Sequence, residues 1–136
     1  RFGDPEGQVL MMRLGAQAFD ALHAAAEGRL ADARLVWAED HAMTVVLAAQ
    51  GYPGAYEKGS VIRGLDGLPE DSFHQVFHAG TREIDGAVTA QGGRVLNVTA
   101  RGASLRQARD RAYAMVDRIH WPEGVHRRDI GWRALD

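Results

Sequence analysis

The sequence predicts an α+β fold in which two N-terminal helices precede a group of short strands, and one later helix covers those strands. Three observations predict it. Apolar residues recur at helical spacing over the first 27 positions, short apolar and β-branched runs replace that spacing after about residue 34, and one well-capped amphipathic segment follows residue 104. The chain has 136 residues, 46% of them hydrophobic, which is enough to bury one core but not two large ones.

The N-terminal segment predicts two helices, near residues 5–13 and 17–27. Asp4 is a plausible N-cap, because Pro5 would then occupy the first helical position, where its missing N–H does no harm. Leu14 and Gly15 interrupt the spacing between the two helices. Gly28 is a good residue for the position just after a helix end.

The middle of the chain predicts strands, and the change of period places a domain boundary near residue 34. Residues 35–37 form a short extended run, and residues 43–49 are continuously apolar, as in a strand buried on both faces. Further short strands are predicted at 61–62, 74–78, 84, 87–89 and 94–100. The Gly92-Gly93 pair predicts a hairpin turn.

One strong helix is predicted after Ser104. Ser104 and Gln107 have the spacing of a capping box, and the apolar positions that follow form one stripe. Trp121 and Pro122 are expected to end the helix. Its arginines are expected to face solvent; they are Arg106, Arg109, Arg111 and Arg118.

Composition excludes several classes of protein. The absence of cysteine excludes disulfide frameworks and thiolate zinc sites and fits a reducing compartment such as the cytoplasm. No apolar run is long enough to cross a bilayer, and no leader peptide is visible, so we expect no membrane partner. A net charge of −2 argues against a nucleic-acid partner. Because the chain starts at Arg1 without methionine, we expect a C-terminal fragment of a longer protein.

The residues alone give no self-contained catalytic site. His74 and His78 are four positions apart on a predicted strand, about 13 Å, so a shared metal is not expected and each histidine is assigned a structural hydrogen bond. None of Ser60, Ser72 and Ser104 lies in the glycine-flanked turn of a serine hydrolase.

Two segments are candidates for binding an anion. Residues 51–59 follow the most apolar strand and contain Gly51, Gly54 and Lys58, the only lysine of the chain; they form either a phosphate-binding loop or a plain connection. Residues 101–136 hold 8 of the 16 basic residues and 5 of the 18 acidic ones. Within them, Arg127 and Arg128 precede Gly131 and are either an anion clasp or surface arginines.

Six ordered blocks of the sequence resemble the glycinamide ribonucleotide synthetase family, also called phosphoribosylamine–glycine ligases. The blocks are Arg-Phe-Gly-Asp-Pro-Glu from Arg1, Gly-Tyr-Pro-Gly from Gly51, Phe-His-Ala-Gly-Thr from Phe77, Gly-Gly-Arg-Val-Leu from Gly92, Val-Thr-Ala from Val98, and Arg-Asp-Ile-Gly-Trp-Arg from Arg128. The resemblance covers essentially the whole chain and implies an ATP-grasp ligase of purine biosynthesis.

The resemblance also implies a division of the chain and a set of roles. Residues 1–33 would be the last helices of an ATP-grasp domain, and 34–136 a small antiparallel β domain with a covering helix. ATP and magnesium would serve the full-length enzyme, whose substrates are glycine and 5-phosphoribosylamine. Arg1 and Asp4 would lie beside the catalytic centre, although Asp4 is equally well explained as a helix cap. Lys58, Arg127, Arg128 and Gly131 would hold the substrate phosphate.

In the family, the magnesium-binding glutamate and asparagine lie just before the first block, so this chain lacks them. We therefore expect it to be inactive alone, to bind no ATP or magnesium tightly, and to lack its proper partner, the N-terminal and ATP-grasp portions of the same enzyme. Exposed apolar faces of the helices containing Leu10, Phe19 and Leu22 should favour self-association. The alternative function is a noncatalytic interaction or regulatory module that retains the fold.

Overall fold

A computed structural model describes residues 2–135 of the chain. Two helices come first, α1 at Glu6–Leu14 and α2 at Gln17–Ala26, as the sequence predicts. The strands are β1 (His41–Ala49), β2 (His74–His78), β3 (Thr81–Ile84), β4 (Ala87–Ala90), β5 (Arg94–Gly102) and β6 (Gly124–Val125), and helix α3 (Leu105–Val116) lies between β5 and β6.

The strands form an antiparallel four-stranded sheet in the order β2-β5-β1-β6, and β3 pairs with β4 as a separate antiparallel ribbon. In the central pair, Val45 lies opposite Val98, and Val46 lies opposite Asn97. Because successive side chains alternate between the faces of a strand, these two pairs mark the two faces of the sheet.

Each face of the sheet is covered by a helix. The face of Val45 and Val98 carries the apolar core, which includes Met115 and Val116 of α3. The face of Asn97 is more polar and carries the start of α1 and the segment before it. β1 is therefore covered on both sides, as its sequence predicts, although its residues on the α1 side are only half-buried. The chain is a mixed α/β domain with an antiparallel sheet.

The hairpin prediction at Gly92 and Gly93 is wrong. These glycines connect β4 to β5, which belong to different sheets. They permit close packing instead: a Cβ on Gly93 would overlap the ring of Tyr52, and Gly92 lies against Gly80. The hairpin turn is Asp85-Gly86 between β3 and β4, where both residues have positive φ, +49° and +74°.

Residues 35–37 do not form a strand. The side chain of Gln17 bonds both the N–H and the carbonyl of Val36, each at 2.9 Å, and Arg13 Nη2 donates to the carbonyl of Ala38 at 2.7 Å. This segment is therefore attached to α1 and α2 by side chains rather than by a β ladder. Helix α3 also ends earlier than expected, at Val116, well before Trp121 and Pro122.

The four arginines on and just after α3 bind backbone carbonyls; Arg106 and Arg118 are exposed as expected, whereas Arg109 and Arg111 are half-buried. Arg111 donates to the carbonyl of Arg101 at 2.7 Å, and Arg118 donates to that of Gly67. Arg109 donates to the carbonyls of Ile130 and Arg128 at 3.3 and 3.1 Å, and Arg106 reaches that of Leu135 at 3.4 Å. A guanidinium offers five donors, so these side chains can satisfy carbonyls of neighbouring segments.

Within residues 2–135, no helix combines the length and the apolar character that crossing a membrane requires.

Candidate functional site

Lys58 lies at a polar cavity beyond the end of β1. The cavity has a volume of about 580 Å³, and its walls come from the end of β1, residues 57–60 and Glu123. Ser60 Oγ accepts a hydrogen bond from Trp121 Nε1 at 2.9 Å, so its own hydroxyl hydrogen remains able to donate. Lys58 shares the cavity with two glutamates, Glu57 and Glu123, a combination that suits a ligand carrying an anion together with amine or hydroxyl groups.

Gly51 and Gly54 shape the loop beside this cavity but do not line it. Gly51 has a φ of +97°, and a Cβ there would overlap the carbonyl oxygen of Ala55. Glycine at this position is therefore explained by the tight turn itself. A role for the two residues in binding phosphate stays a prediction.

Arg127 and Gly131 share a second cavity, of about 300 Å³. Arg127 forms a bidentate pair with Asp129, at 2.8 and 2.6 Å. The guanidinium holds the pKa of the Asp129 carboxyl below its usual value, and the same pair raises the pKa of Arg127. Gly131 has a φ of +80°, and a Cβ there would overlap the Met43 side chain of β1.

Arg128 points in another direction from Arg127. Its Nη1 lies 2.7 Å from Asp117 Oδ1, and its guanidinium lies 5.7 Å from the centre of the Tyr113 ring. The Tyr113 hydroxyl donates to the carbonyl of Arg127 at 2.7 Å and accepts from the N–H of Ile130 at 3.2 Å. Helix α3 therefore fixes the backbone of the tail while the two arginine side chains diverge.

The Lys58 cavity and Gly131 lie at opposite ends of β1. The cavity includes Ala49, at the end of the strand, whereas Gly131 packs on Met43, near its start. Six residues of strand span about 20 Å. The structure thus brings Gly131 together with Arg127 and separates both Gly131 and its cavity from Lys58.

His126 adjoins the tail arginines. Within the part of the chain that the structure describes, its buried Nε2 has no hydrogen-bond partner. Burial lowers the pKa of His126, and the charge of Arg128 lowers it further, against an opposing effect of Asp117. The imidazole is therefore held in its neutral form.

Asp4 lies on the sheet rather than on the first turn of α1. Its Oδ1 accepts from Asn97 Nδ2 at 2.7 Å and from Gln8 Nε2 at 2.9 Å, and its Oδ2 lies 2.9 Å from Arg94 Nε. Pro5 occupies the N-cap position of α1, and no side chain caps it. The capping explanation of Asp4 is therefore wrong, because these side chains of β5 and α1 engage the carboxylate. Arg1 lies outside the described residues, so its role stays a prediction.

The histidines of β2 have the structural hydrogen bonds that the sequence predicts. His74 Nδ1 lies 2.9 Å from Asp71 Oδ1, and His78 Nδ1 lies 2.9 Å from Thr81 Oγ1. Among residues 2–135, no three His, Asp or Glu side chains come together as a group that could hold a metal ion.

Sequence reasoning missed the residues that organise these sites, namely Arg94, Asn97, Arg109 and Tyr113. Asn97 gave a signal that could have been used, since an amide in the middle of an otherwise apolar strand requires a polar partner. Arg109 and Tyr113 are spaced four apart on α3 and contact each other, with the guanidinium 5.0 Å from the ring centre.

Comparison with known proteins gives a consistent family. The family model described as "Phosphoribosylglycinamide synthetase, C domain" matches residues 42–133. A protein of Mesorhizobium japonicum named phosphoribosylamine–glycine ligase is 56% identical over 99% of this chain and 32% of its own length. A chloroplastic protein of the same name from Arabidopsis thaliana is 54% identical over 99% of this chain and 26% of its own.

A solved structure is also similar. It is the crystal structure of phosphoribosylamine–glycine ligase from Thermotoga maritima, which matches with a TM-score of 0.80 and 35% identity over 93% of this chain and 30% of that one. The chain thus spans about a third of the length of the relatives it matches.

Proposed function

Because the chain belongs to the phosphoribosylglycinamide synthetase C-domain family, we propose that it is the C-terminal part of an ATP-dependent ligase that joins glycine to 5-phosphoribosylamine. The observation that carries the proposal is the family match over residues 42–133, to which relatives named for this reaction add similarity over nearly the whole chain. The product would be glycinamide ribonucleotide, in purine biosynthesis.

The proposed reaction activates a carboxylate before an amine attacks it. A glycine carboxylate oxygen would take the terminal phosphoryl group of ATP, giving glycyl phosphate and ADP. The nitrogen of phosphoribosylamine would then attack the glycyl carbon, phosphate would leave with the C–O bond electrons, and the nitrogen would lose a proton. Phosphorylation is needed because a carboxylate offers an amine no adequate leaving group.

In this proposal the chain supplies substrate contacts rather than the phosphoryl chemistry. Arg128 would hold the ribose 5-phosphate, since guanidinium groups bind phosphate with charge-assisted hydrogen bonds, whereas Arg127 and Gly131, which share another cavity, would contact a neighbouring part of the ligand. Because Lys58 lies about six strand residues from Gly131 along β1, it would contact a different part of the ligand. Residues 1–33 would end the ATP-grasp domain, and 34–136 would be the C-terminal domain.

A chimera tests the proposal. The C-terminal third of the Mesorhizobium ligase, which this chain matches at 56% identity, is replaced by the chain, and the product is expressed in bacteria that lack their own ligase. We expect growth without added purines and ligase activity in the purified chimera. The first two thirds of the relative alone and this chain alone are the controls, and neither should restore growth.

The chain alone should also show no tight binding of magnesium-ATP. Calorimetry that detects micromolar affinity would contradict this. A chimera that is folded and binds ATP but makes no glycinamide ribonucleotide would contradict the ligase and favour the alternative, a noncatalytic interaction or regulatory module that retains the fold.

A further inference from the structure

We propose that Arg94 is a positioning residue of this ligase, which acts through Asp4 to fix the segment preceding α1 on the sheet. The inference rests on the proposed function for its catalytic consequence, whereas the contact itself is a property of this chain. Arg94 would touch neither substrate nor reacting atoms.

The Asp4 carboxylate is bound from both sides of the interface between α1 and the sheet. Gln8 donates to it from α1 at 2.9 Å, Asn97 donates from the middle of β5 at 2.7 Å, and Arg94 Nε lies 2.9 Å from its second oxygen. Asn97 is fully buried, so its amide cannot exchange this partner for water. Hydrogen bonds to an ionised carboxylate are stronger than neutral ones.

An irregularity in the sheet directs Arg94 toward Asp4. In the pairing of β1 with β5, Leu47 lies opposite Leu96 but the next residue, Ala48, lies opposite Arg94, so Val95 is the extra residue of a bulge. Val95 enters the apolar core, where it is fully buried, and Arg94 is turned to the other face. Regular alternation would have placed Arg94 on the core face with Leu96.

Fixing Asp4 restricts the chain on its N-terminal side. Asp4 lies three positions after Arg1, and an extended chain covers at most about 11 Å in that distance. The N–H of Gly7 bonds the carbonyl of Gly3 at 2.7 Å, so the first turn of α1 forms directly beside the carboxylate contacts. In the proposed enzyme, β5 would therefore set where the segment preceding α1 joins the rest of the ligase.

Amide hydrogen exchange on the chain itself tests the contact. In Arg94→Gln, we expect exchange at the Gly7 amide to accelerate by about 10-fold or more, as expected when a charge-assisted hydrogen bond is lost. Exchange at the central amides of β5 should stay unchanged. Arg82→Gln is the matched control, because Arg82 is an exposed arginine on β3. Unchanged protection of Gly7 in Arg94→Gln would overturn the proposal.

Kinetics of the chimera test the role. Arg94→Gln should lower kcat by about 10- to 100-fold while changing the Michaelis constant for phosphoribosylamine little, because only positioning is lost. Asp4→Asn should lower kcat to a similar extent. The double variant should lose no more kcat than the more affected single variant, since both substitutions remove the same contact between Arg94 and Asp4. Arg94→Lys, which keeps the charge, should recover part of kcat. Arg82→Gln should behave as the unsubstituted chimera.

The outcomes that overturn the positioning role differ from those that overturn the function. Additive losses in the double variant, or normal kcat in a variant that merely melts earlier, would make Arg94 structural. A selective rise in the Michaelis constant for phosphoribosylamine would make it a substrate contact. An unsubstituted chimera without activity contradicts the proposed function instead, and the exchange experiment then decides the contact alone.

Discussion

Arg128 pairs with Asp117 on the protein surface, where both side chains are more than half exposed. An exposed ion pair contributes only about 0 to 1 kcal/mol to stability, because water and salt screen it. A substrate phosphate could therefore take the guanidinium from Asp117 at little cost. The stacking of Arg128 on Tyr113 would keep the side chain in place during such an exchange.

Replacing Arg128 tests whether its guanidinium binds the substrate phosphate. In the chimera, Arg128→Ala should raise the Michaelis constant for phosphoribosylamine by about 10- to 150-fold, the equivalent of a lost charge-assisted contact of about 1.5 to 3 kcal/mol. The Michaelis constants for ATP and glycine should change little, and Arg82→Ala should leave the Michaelis constants for all three substrates unchanged. Equal effects on the three substrates, or earlier melting with normal kinetics, would make Arg128 structural.

His126 should make the stability of the chain depend on pH. Its pKa is lowered in the folded state, first by burial and then by Arg128, so the unfolded chain binds more protons as the pH falls below the ordinary value of 6.5. Protonation therefore favours unfolding, and stability is lost as the pH falls from about 6.5 toward the folded pKa.

Thermal unfolding measured from about pH 7.5 to about pH 5.5 checks this. The melting temperature should fall with pH in the unsubstituted chain, and the fall should be smaller in His126→Gln, which cannot titrate. His41→Gln, at the exposed start of β1, is the control and should keep the original slope. An identical slope in His126→Gln would contradict the assignment.

Candidate site residues could be named from the sequence only where local pattern or resemblance pointed to them. Asp4, Lys58 and the tail arginines were named in this way, and their roles stay predictions. The contact between Asp4 and Asn97 joins positions 93 residues apart, and no period or spacing connects them. Arg127 and Arg128 diverge because Arg127 pairs with Asp129, two residues away, whereas Arg128 pairs with Asp117, at the end of α3.

At the scale of elements, helices and central strands followed from hydrophobic spacing, but turns and ends did not. The β1 and β5 segments are apolar enough to be recognised, whereas the bulge at Val95 depends on the partner strand. The Asp85-Gly86 turn carried a local hairpin signal that was overlooked in favour of Gly92-Gly93, whose glycines are required by packing against Tyr52 and Gly80.

The N-terminus of α3 confirms the predicted cap at Ser104. Its Oγ accepts from the N–H of Gln107 at 3.2 Å, and the Gln107 side chain accepts from the N–H of Ala103 at 2.8 Å. Ser104→Ala should therefore lower the free energy of unfolding by about 0.5 to 2 kcal/mol, measured by urea denaturation. Ser104→Asp should retain most of the stabilisation that the serine cap provides. Ser72→Ala, in an exposed loop, should have little effect, and equal stability of the two alanine variants would contradict the cap.

At the scale of the whole molecule, exposed large apolar side chains are concentrated in residues 2–37. Phe19 and Leu22 of α2 are 74% and 52% exposed, and Val36, which α2 holds through Gln17, is 71% exposed. We call these three residues the α2 surface. Leu10 differs from the expectation, because α1 lies on the sheet and leaves it half-buried. In the proposed enzyme, the remainder of the ATP-grasp domain would cover the α2 surface.

The isolated chain should therefore self-associate through the α2 surface, because apolar side chains clustered on a surface gain free energy when they leave water. Sedimentation equilibrium over a wide concentration range should show mass increasing with concentration, and Phe19→Ser with Leu22→Ser should shift the chain toward monomer. Ile84→Ser, which removes an equally apolar side chain that is 42% exposed on β3, is the control and should leave association unchanged. A strict monomer that binds no hydrophobic dye, or equal loss of association in the control, would contradict the assignment. In the chimera, the ATP-grasp portion would cover the α2 surface, so the chimera should not associate through it, and a folding defect of the double variant in the chimera alone would support burial there.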